Sequence, residues 1–243
     1  MMGIRSIAVM LAASLALVAG LSTMEPFRTF MPGLIEGAWM TVRIALVGSL
    51  LAVLFGVAAA LARLYGPLPL RWLARAYIEI FRGTSALVQL FWLFFVLPDF
   101  GISLAPFTVA VLTLGLNVGA YGAEIVRAAI GAVPRGQWEA STALNMTRGQ
   151  MLRRIILPQA VVAMIPPWGN LFIELLKATA LVSLITISDL AFKAQEMNQT
   201  TFKTIDIFTL VLLIYLAISL AITIGMRLIE GAASRGLARG RAH

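Results

Sequence analysis

The sequence predicts an all-α integral membrane protein with six membrane-crossing helices, and three observations predict it. Hydrophobic residues make up 60% of the 243 and charged residues only 12%, against roughly a quarter charged in a soluble domain. Six apolar stretches each come near the ~20 residues needed to cross a bilayer core about 30 Å thick at 1.5 Å rise per residue. The basic residues, finally, fall on one side of those stretches.

The stretches run over 4–21, 38–62, 73–97, 106–130, 164–187 and 207–228. The first, with Arg5 near its start and Val18, Ala19 and Gly20 near its end, reads either as a secretory signal or as a retained anchor; its apolar run is longer than a usual signal core, which favours the anchor. The remaining five form the core. With a cytoplasmic N-terminus, the inner segments hold Arg5, then Arg63, Arg71 and Arg75, then Arg127, Arg135, Arg148, Arg153 and Arg154, then Arg227, Arg235, Arg239 and Arg241. Only Arg28, Lys193 and Lys203 lie outside. Thirteen against three orients the spans and places the C-terminus in the cytoplasm. The formal charge of +8 is thereby accounted for without nucleic acid, and the tail 231–243 reads as a basic segment facing anionic lipid.

Composition also excludes chemistry. There is no cysteine, and the single histidine is His243, so thiolate and histidine-cluster metal sites, cysteine nucleophiles and histidine general bases are absent. Each lysine follows Leu or Phe, so no Gly-Lys pair can build a phosphate-cradling loop. With no paired-carboxylate motif either, no catalytic residue is expected, and no metal.

The segment 131–163 is the one long inner loop, and it lacks linker composition. Pro134 and Gly136 open a first short helix carrying Trp138, Glu139, Ala140 and Leu144. Thr147-Arg148-Gly149-Gln150 forms a capping box for a second, with Met146 and Met151 at staple positions. Asn145 sits at the corner, a residue type that tolerates the left-handed conformation. Pro158 is expected to stop the second helix after Ile155, Ile156 and Leu157. The apolar residues of this helix–turn–helix either dock on a partner or pack against the chain's own membrane helices.

Glu139-Ala140-Ser141, Asn145 and Ile155-Ile156-Leu157-Pro158 resemble the EAA loop of the membrane subunits of bacterial ABC importers. That pattern reads Glu-Ala-Ala, three residues, Gly, nine residues, Ile, one residue, Leu-Pro. The spacing matches throughout; Ser141 replaces the second Ala and Asn145 the Gly. The resemblance extends from about residue 34 to 230. Arg82-Gly83-Thr84 with Leu87-Val88-Gln89 resembles the Arg-Gly-Thr-Pro stretch of the polar amino acid permeases, Ser85 standing for Pro. Ala120 to Glu124 with Arg127, and Pro167, Gly169, Asn170 and Lys177, are similar to the same family. The runs 82–98 and 116–127 look most like ectoine and hydroxyectoine uptake permeases.

The resemblance implies a type I importer permease fold in the bacterial inner membrane. It has an N-terminal segment and external linker over 1–33, a transport domain over 34–230 and a cytoplasmic tail. It implies a loop, Gly149 included, that couples to a dimer of separate ATPase subunits holding the ATP and magnesium. A second permease chain, identical or related, and an extracytoplasmic solute-binding protein complete the assembly.

Ionisable residues inside the spans are Arg43, Glu79, Arg82, Glu124, Glu174 and Lys177. Each would cost about 2.5–3.5 kcal/mol facing lipid at mid-bilayer, so they should face protein or water. Asn117, Tyr121 and Glu124 fall on one helical face beside the close-packing pair Gly115 and Gly119. Pro166-Pro167-Trp168-Gly169-Asn170 is expected to break the fifth span, after which Glu174 and Lys177 stand at i, i+3. The expected path is Asn117, Tyr121, Glu124, Asn170, Glu174 and Lys177, with Gln89 and Trp92 facing it, and a zwitterion fitting between the two helices. Glu174 and Lys177 could instead neutralise one another, and Glu79 with Arg82 reads as a structural pair. Tyr121 and Trp92 are also ordinary packing or interface residues. The rival class is a secondary transporter using Glu124 or Glu174 as an ion site, which predicts an inverted repeat that is not evident.

Overall fold

The computed structural model describes residues 4–25 and 27–240, with side chains as far as residue 234; the tail's Arg235, Arg239, Arg241 and His243 lie outside the described side chains. Among the described residues the secondary structure is all helical, joined by short turns, with no strand. Helix α1 (Ile4–Leu21) lies on the outside of the bundle, burying only Ile7 and Ser14 and packing on α10 (Thr204–Gly240). Its bounds coincide with the first apolar stretch.

Helix α2 (Phe27–Tyr65) begins earlier than its apolar pattern and passes through Pro32, so most of the expected external linker is helical. Phe30 and Leu34 are buried against Leu190, Ile207 and Leu210, and this packing outweighs one lost backbone hydrogen bond.

Helices α2 and α5 (Pro106–Gly131) pack most closely. The contact is a ladder of small residues. A Cβ on Gly115 would lie 3.1 Å from the Gly48 carbonyl, one on Gly119 3.1 Å from that of Ala52, and one on Gly56 2.9 Å from that of Gly119. Backbones meeting this closely are what small residues at four-residue spacing permit. The matched positions rise together, and Arg43 lies over the Phe107 ring at one end while Arg63 meets Glu124 near the other, so the two helices are parallel.

Parallel neighbours require the intervening chain to return across the layer. That return is made by α3 (Leu68–Gly83) and α4 (Ala86–Phe91), continued by a π turn (Trp92–Val96) and a 3-10 turn (Leu97–Phe100). The two halves are bent by 105° at Gly83. The third stretch is therefore one crossing, but a broken one, where the sequence predicts an unbroken span. Arg43 and Arg63 are about 30 Å apart along α2, which is the distance the bent unit must cover.

Helix α6 (Arg135–Ala143) and α7 (Arg148–Met151) form the inner loop. A π turn (Leu152–Ile156) joins α7 to α8 (Leu157–Ala178), making an apolar rod of 38 residues with the 3-10 turn Thr179–Ile185. Two expectations fail here. Pro158 does not stop the helix: the Leu157 N–H bonds to the Leu152 carbonyl, five residues back, and this widened turn makes room for the proline ring that an α turn would exclude. Pro166 and Pro167 do not break it either. Their missing N–H groups leave the Val162 and Ala163 carbonyls without helical donors, while Trp168 packs firmly enough on α2 and α5 to hold the helix through that gap. The real break comes later, at Thr186 with φ +66°, before the outer helix α9 (Leu190–Thr201).

Candidate functional site

The corner between α3 and α4 lies level with the middle of α5, where backbone groups have no water to bond. The last carbonyls of α3 are orphans by construction, and four side chains satisfy three of them in succession. Thr84 Oγ1 donates to the Ile80 carbonyl at 2.8 Å. Gln89 Nε2 at 3.0 Å and Asn117 Nδ2 at 2.8 Å both donate to Phe81. Tyr121 OH donates to Arg82 at 3.4 Å. Gln89 also donates to Thr84 Oγ1 at 2.6 Å and accepts from Asn117 at 3.2 Å. Gln89, Asn117 and Tyr121 thus come together, as the expected path has them, but their polar atoms serve the corner.

Below the corner, Glu124 accepts from Arg63 and is bound by Arg127, with Nε at 2.8 Å and Nη2 at 2.7 Å. Arg82 Nη1 lies 3.9 Å away, its guanidinium 5.4 Å from the Tyr121 ring centre. The expected Glu79–Arg82 pair does not form: Arg82, at the end of α3, turns instead towards the carboxylate on α5, and Glu79 is exposed. Arg63 is the residue that sequence reasoning read only as an inner-loop charge. The spacing of Gly48, Ala52 and Gly56 carries it, since continuing that face by seven residues reaches Arg63.

The polar stripe of α8 is elsewhere. Trp168 fills the space against Gly56 and Gly122, whereas Asn170, Glu174 and Lys177 sit about half a turn away on the exposed side. Asn170 lines a cavity of about 600 Å³ with Thr223, Met226 and Glu230 of α10. Glu174 and Lys177 form no ion pair with each other. A zwitterion is therefore not enclosed between α5 and α8 of one chain, because the bulk of Trp168 occupies that contact. Trp92 is half exposed, beside Phe100 at 6.3 Å.

In the inner loop, Asn145 has φ +53° and turns α6 into α7. Gln150 N donates to Thr147 Oγ1 at 3.3 Å and Thr147 N donates to Gln150 Oε1 at 3.0 Å, completing the capping box. Both features are where the sequence predicts them. One face of the loop, Trp138, Met151, Leu152 and Ile155, packs on the chain's own core around buried Ile156. Ser141 is buried too, donating to the Gln137 carbonyl at 2.6 Å. Glu139, Ala140 and Gly149 are exposed, and Leu144 is 75% exposed. The loop thus does both things the sequence left open: it is anchored on one side and free on the other.

An apolar helical bundle with a broken span, intramembrane charges and a capped inner loop packed on one face and exposed on the other defines a multi-pass membrane transport component. The family model for the binding-protein-dependent transport system inner membrane component matches residues 52–235, and the chain belongs to that family. Over 206 residues it is 45% identical to the probable amino-acid ABC transporter permease protein y4tF of Sinorhizobium fredii, covering 82% of this chain and 87% of the relative. It is 43% identical to the L-cystine transport system permease protein TcyB of Bacillus subtilis, covering 70% and 73%. The glutamine transport system permease protein GlnP of Escherichia coli is 37% identical, over 82% and 92%. Among solved structures, a chain of an amino acid ABC transporter crystallised with histidines superposes with TM-score 0.79 at 35% identity, over 84% of this chain and 95% of that one. The MetNI methionine ABC transporter shares the fold, with TM-score 0.71 at 20% identity.

Proposed function

We propose that this chain is the permease subunit of an ATP-driven importer in the bacterial inner membrane, taking up a small zwitterion of the amino acid type, ectoine and hydroxyectoine included. The projecting, capped loop carries the reading. It is rigid, half of it is anchored, and its free face has the Glu139, Ala140, Leu144 and Gly149 surface expected of a coupling element. A separate ATPase dimer grips that face. Because α7, the π turn and α8 are continuous, a pull on the loop moves α8 and its Asn170, Glu174 and Lys177 stripe as one body. The exposed polar stripe needs water or another chain beside it, which supports a second permease chain across the path. An extracytoplasmic binding protein delivers the solute, and the C-terminus lies on the ATPase side.

The amino-acid permeases among the relatives support the solute class, and the likeness of 82–98 and 116–127 to ectoine permeases supports the narrower candidates. The ion-gradient alternative loses one of its two candidate residues, since Glu124 is held by arginines rather than free for a proton or sodium ion. The test is purification from the native membrane, followed by an ATPase assay with loaded binding proteins. Recovery of an ATPase subunit stimulated by one loaded binding protein is expected. Isolation of the chain alone, active in liposomes under an ion gradient, overturns the reading.

A further inference from the structure

Glu124 is outnumbered. Arg63, Arg82 and Arg127, from α2, α3 and α5, converge on its one carboxylate, so the junction keeps two positive charges that no other ion pair among the described residues balances. At 1.5 Å per residue, Glu124 lies about 8 Å and Tyr121 about 4 Å from the midpoint of α5, well inside a half-core of about 15 Å. Surface arginines need no partner, but at this depth uncompensated charge is costly. Arg82 is the least committed of the three. It lies beyond hydrogen-bond distance of Glu124, over the half-exposed face of Tyr121, with a guanidinium fork shaped to take a carboxylate through two parallel N–H donors.

We propose that this junction is a carboxylate station on the inner half of the path, where Arg82 takes the carboxylate end of the transported solute and the Tyr121 ring lies against its carbon skeleton. The inference rests on the importer reading and gives it a chemical requirement: the solute carries a carboxylate. Because Glu124 is already neutralised, α5 attracts the anionic end of the zwitterion. Depth argues for a solute over a lipid phosphate. Headgroups sit beyond the core edge, whereas Arg82 is at the mid-depth corner, at the head of the Asn117, Tyr121, Glu124 stripe.

The test is arginine modification of the full chain in phosphatidylcholine nanodiscs with phenylglyoxal, read residue by residue by mass spectrometry. L-Glutamine, L-histidine, ectoine and acetate are compared with histamine, which lacks the carboxylate, and with inorganic phosphate. The carboxylates, at twice their dissociation constant, are expected to slow modification of Arg82 about threefold by mass action. Histamine is expected to have no effect, and Glu124→Gln to strengthen protection. Protection appearing only when phosphatidylglycerol is added assigns the charge to lipid and overturns the station. Equal protection by phosphate, no protection by any carboxylate, or an Arg82 inert in every condition overturns it as well. The ATPase co-purification reads the importer function independently, so a coupled importer with an unprotected Arg82 sinks the station alone, and a chain without an ATPase partner sinks the importer reading alone.

Discussion

Asp189 is fully buried, and only one of its oxygens is satisfied. Its Oδ1 caps α9 by accepting from Phe192 N at 2.9 Å, while Oδ2 has no partner. Close approach of α2 buries it: a Cβ on Gly37 would lie 2.8 Å from the Asp189 carbonyl, and Thr41 Oγ1 accepts from Leu190 N at 3.1 Å. Burial outweighs the backbone hydrogen bonds and pushes the carboxyl up to about 6. The folded chain thus holds this proton more tightly than the unfolded one. The associated stability is full below about pH 4 and is lost as pH rises through about 6. Asp189→Asn keeps a capping residue and removes the titration, so melting temperature in detergent should become flatter between pH 4 and 6.5. The variant should gain roughly 2 to 3 kcal/mol at pH 7.5, at about 1.4 kcal/mol per pH unit; unchanged pH dependence would count against a buried, ionising Asp189. In the loop, Thr147→Ala should cost about 1 kcal/mol of cap energy, seen as faster proteolysis between α6 and α8 with the bundle intact. The Asn145 corner and this cap were legible in the sequence because both depend on residues within three positions of each other. The burial of Asp189 was not, since Gly37 and Thr41 lie some 150 residues away.

The broken third span shows at the element scale how a defect is made tolerable. Two helices meet at 105° in mid-membrane, and the exposed carbonyls of Ile80, Phe81 and Arg82 are closed by Thr84, by Gln89 with Asn117, and by Tyr121. Asn117→Ala deletes the donor that ties α5 to this corner. An unsatisfied buried acceptor costs about 1–3 kcal/mol, so the variant should insert normally yet lose thermal stability by that order; equal stability would show Gln89 alone suffices. On α8, Trp168 against Gly56 and Gly122 is a large-into-small contact. Gly122→Leu overpacks it at about 1–3 kcal/mol or more, and should lower the yield of folded protein in size-exclusion profiles, whereas Gly131→Ala, with open space at the Cβ position, should not. The span positions were readable from hydropathy; the corner and the continuity through Pro158 and Pro166-Pro167 were not. Neighbouring helices can satisfy or exclude backbone groups in ways that a single segment's pattern does not record.

Across the whole molecule, α7, the π turn and α8 run as one continuous rod, which on the proposed reading is a lever working against the α2–α5 pair. Two glycines inserted after Ile156 would add a soft joint between the loop and α8. The expected outcome, measured in proteoliposomes with the partner ATPase, is basal hydrolysis retained and solute uptake reduced about tenfold or more, equivalent to 1.4 kcal/mol of lost coupling. Uptake matching the unaltered chain would mean that the loop does not drive α8 as a rigid extension. The sequence by itself determined the membrane class, the six apolar stretches, the charge asymmetry and the loop with its cap and corner. Those rest on hydropathy and on short-range hydrogen bonding, which the local chain encodes. Only the tertiary structure decided that the third stretch is bent, that Glu124 meets three arginines, and that the two polar stripes face different ways. Each of these depends on which side chain fills which gap between helices distant in sequence: Arg63 reaches Glu124 because small residues bring α2 onto α5, and Trp168 excludes the α8 stripe from the same contact.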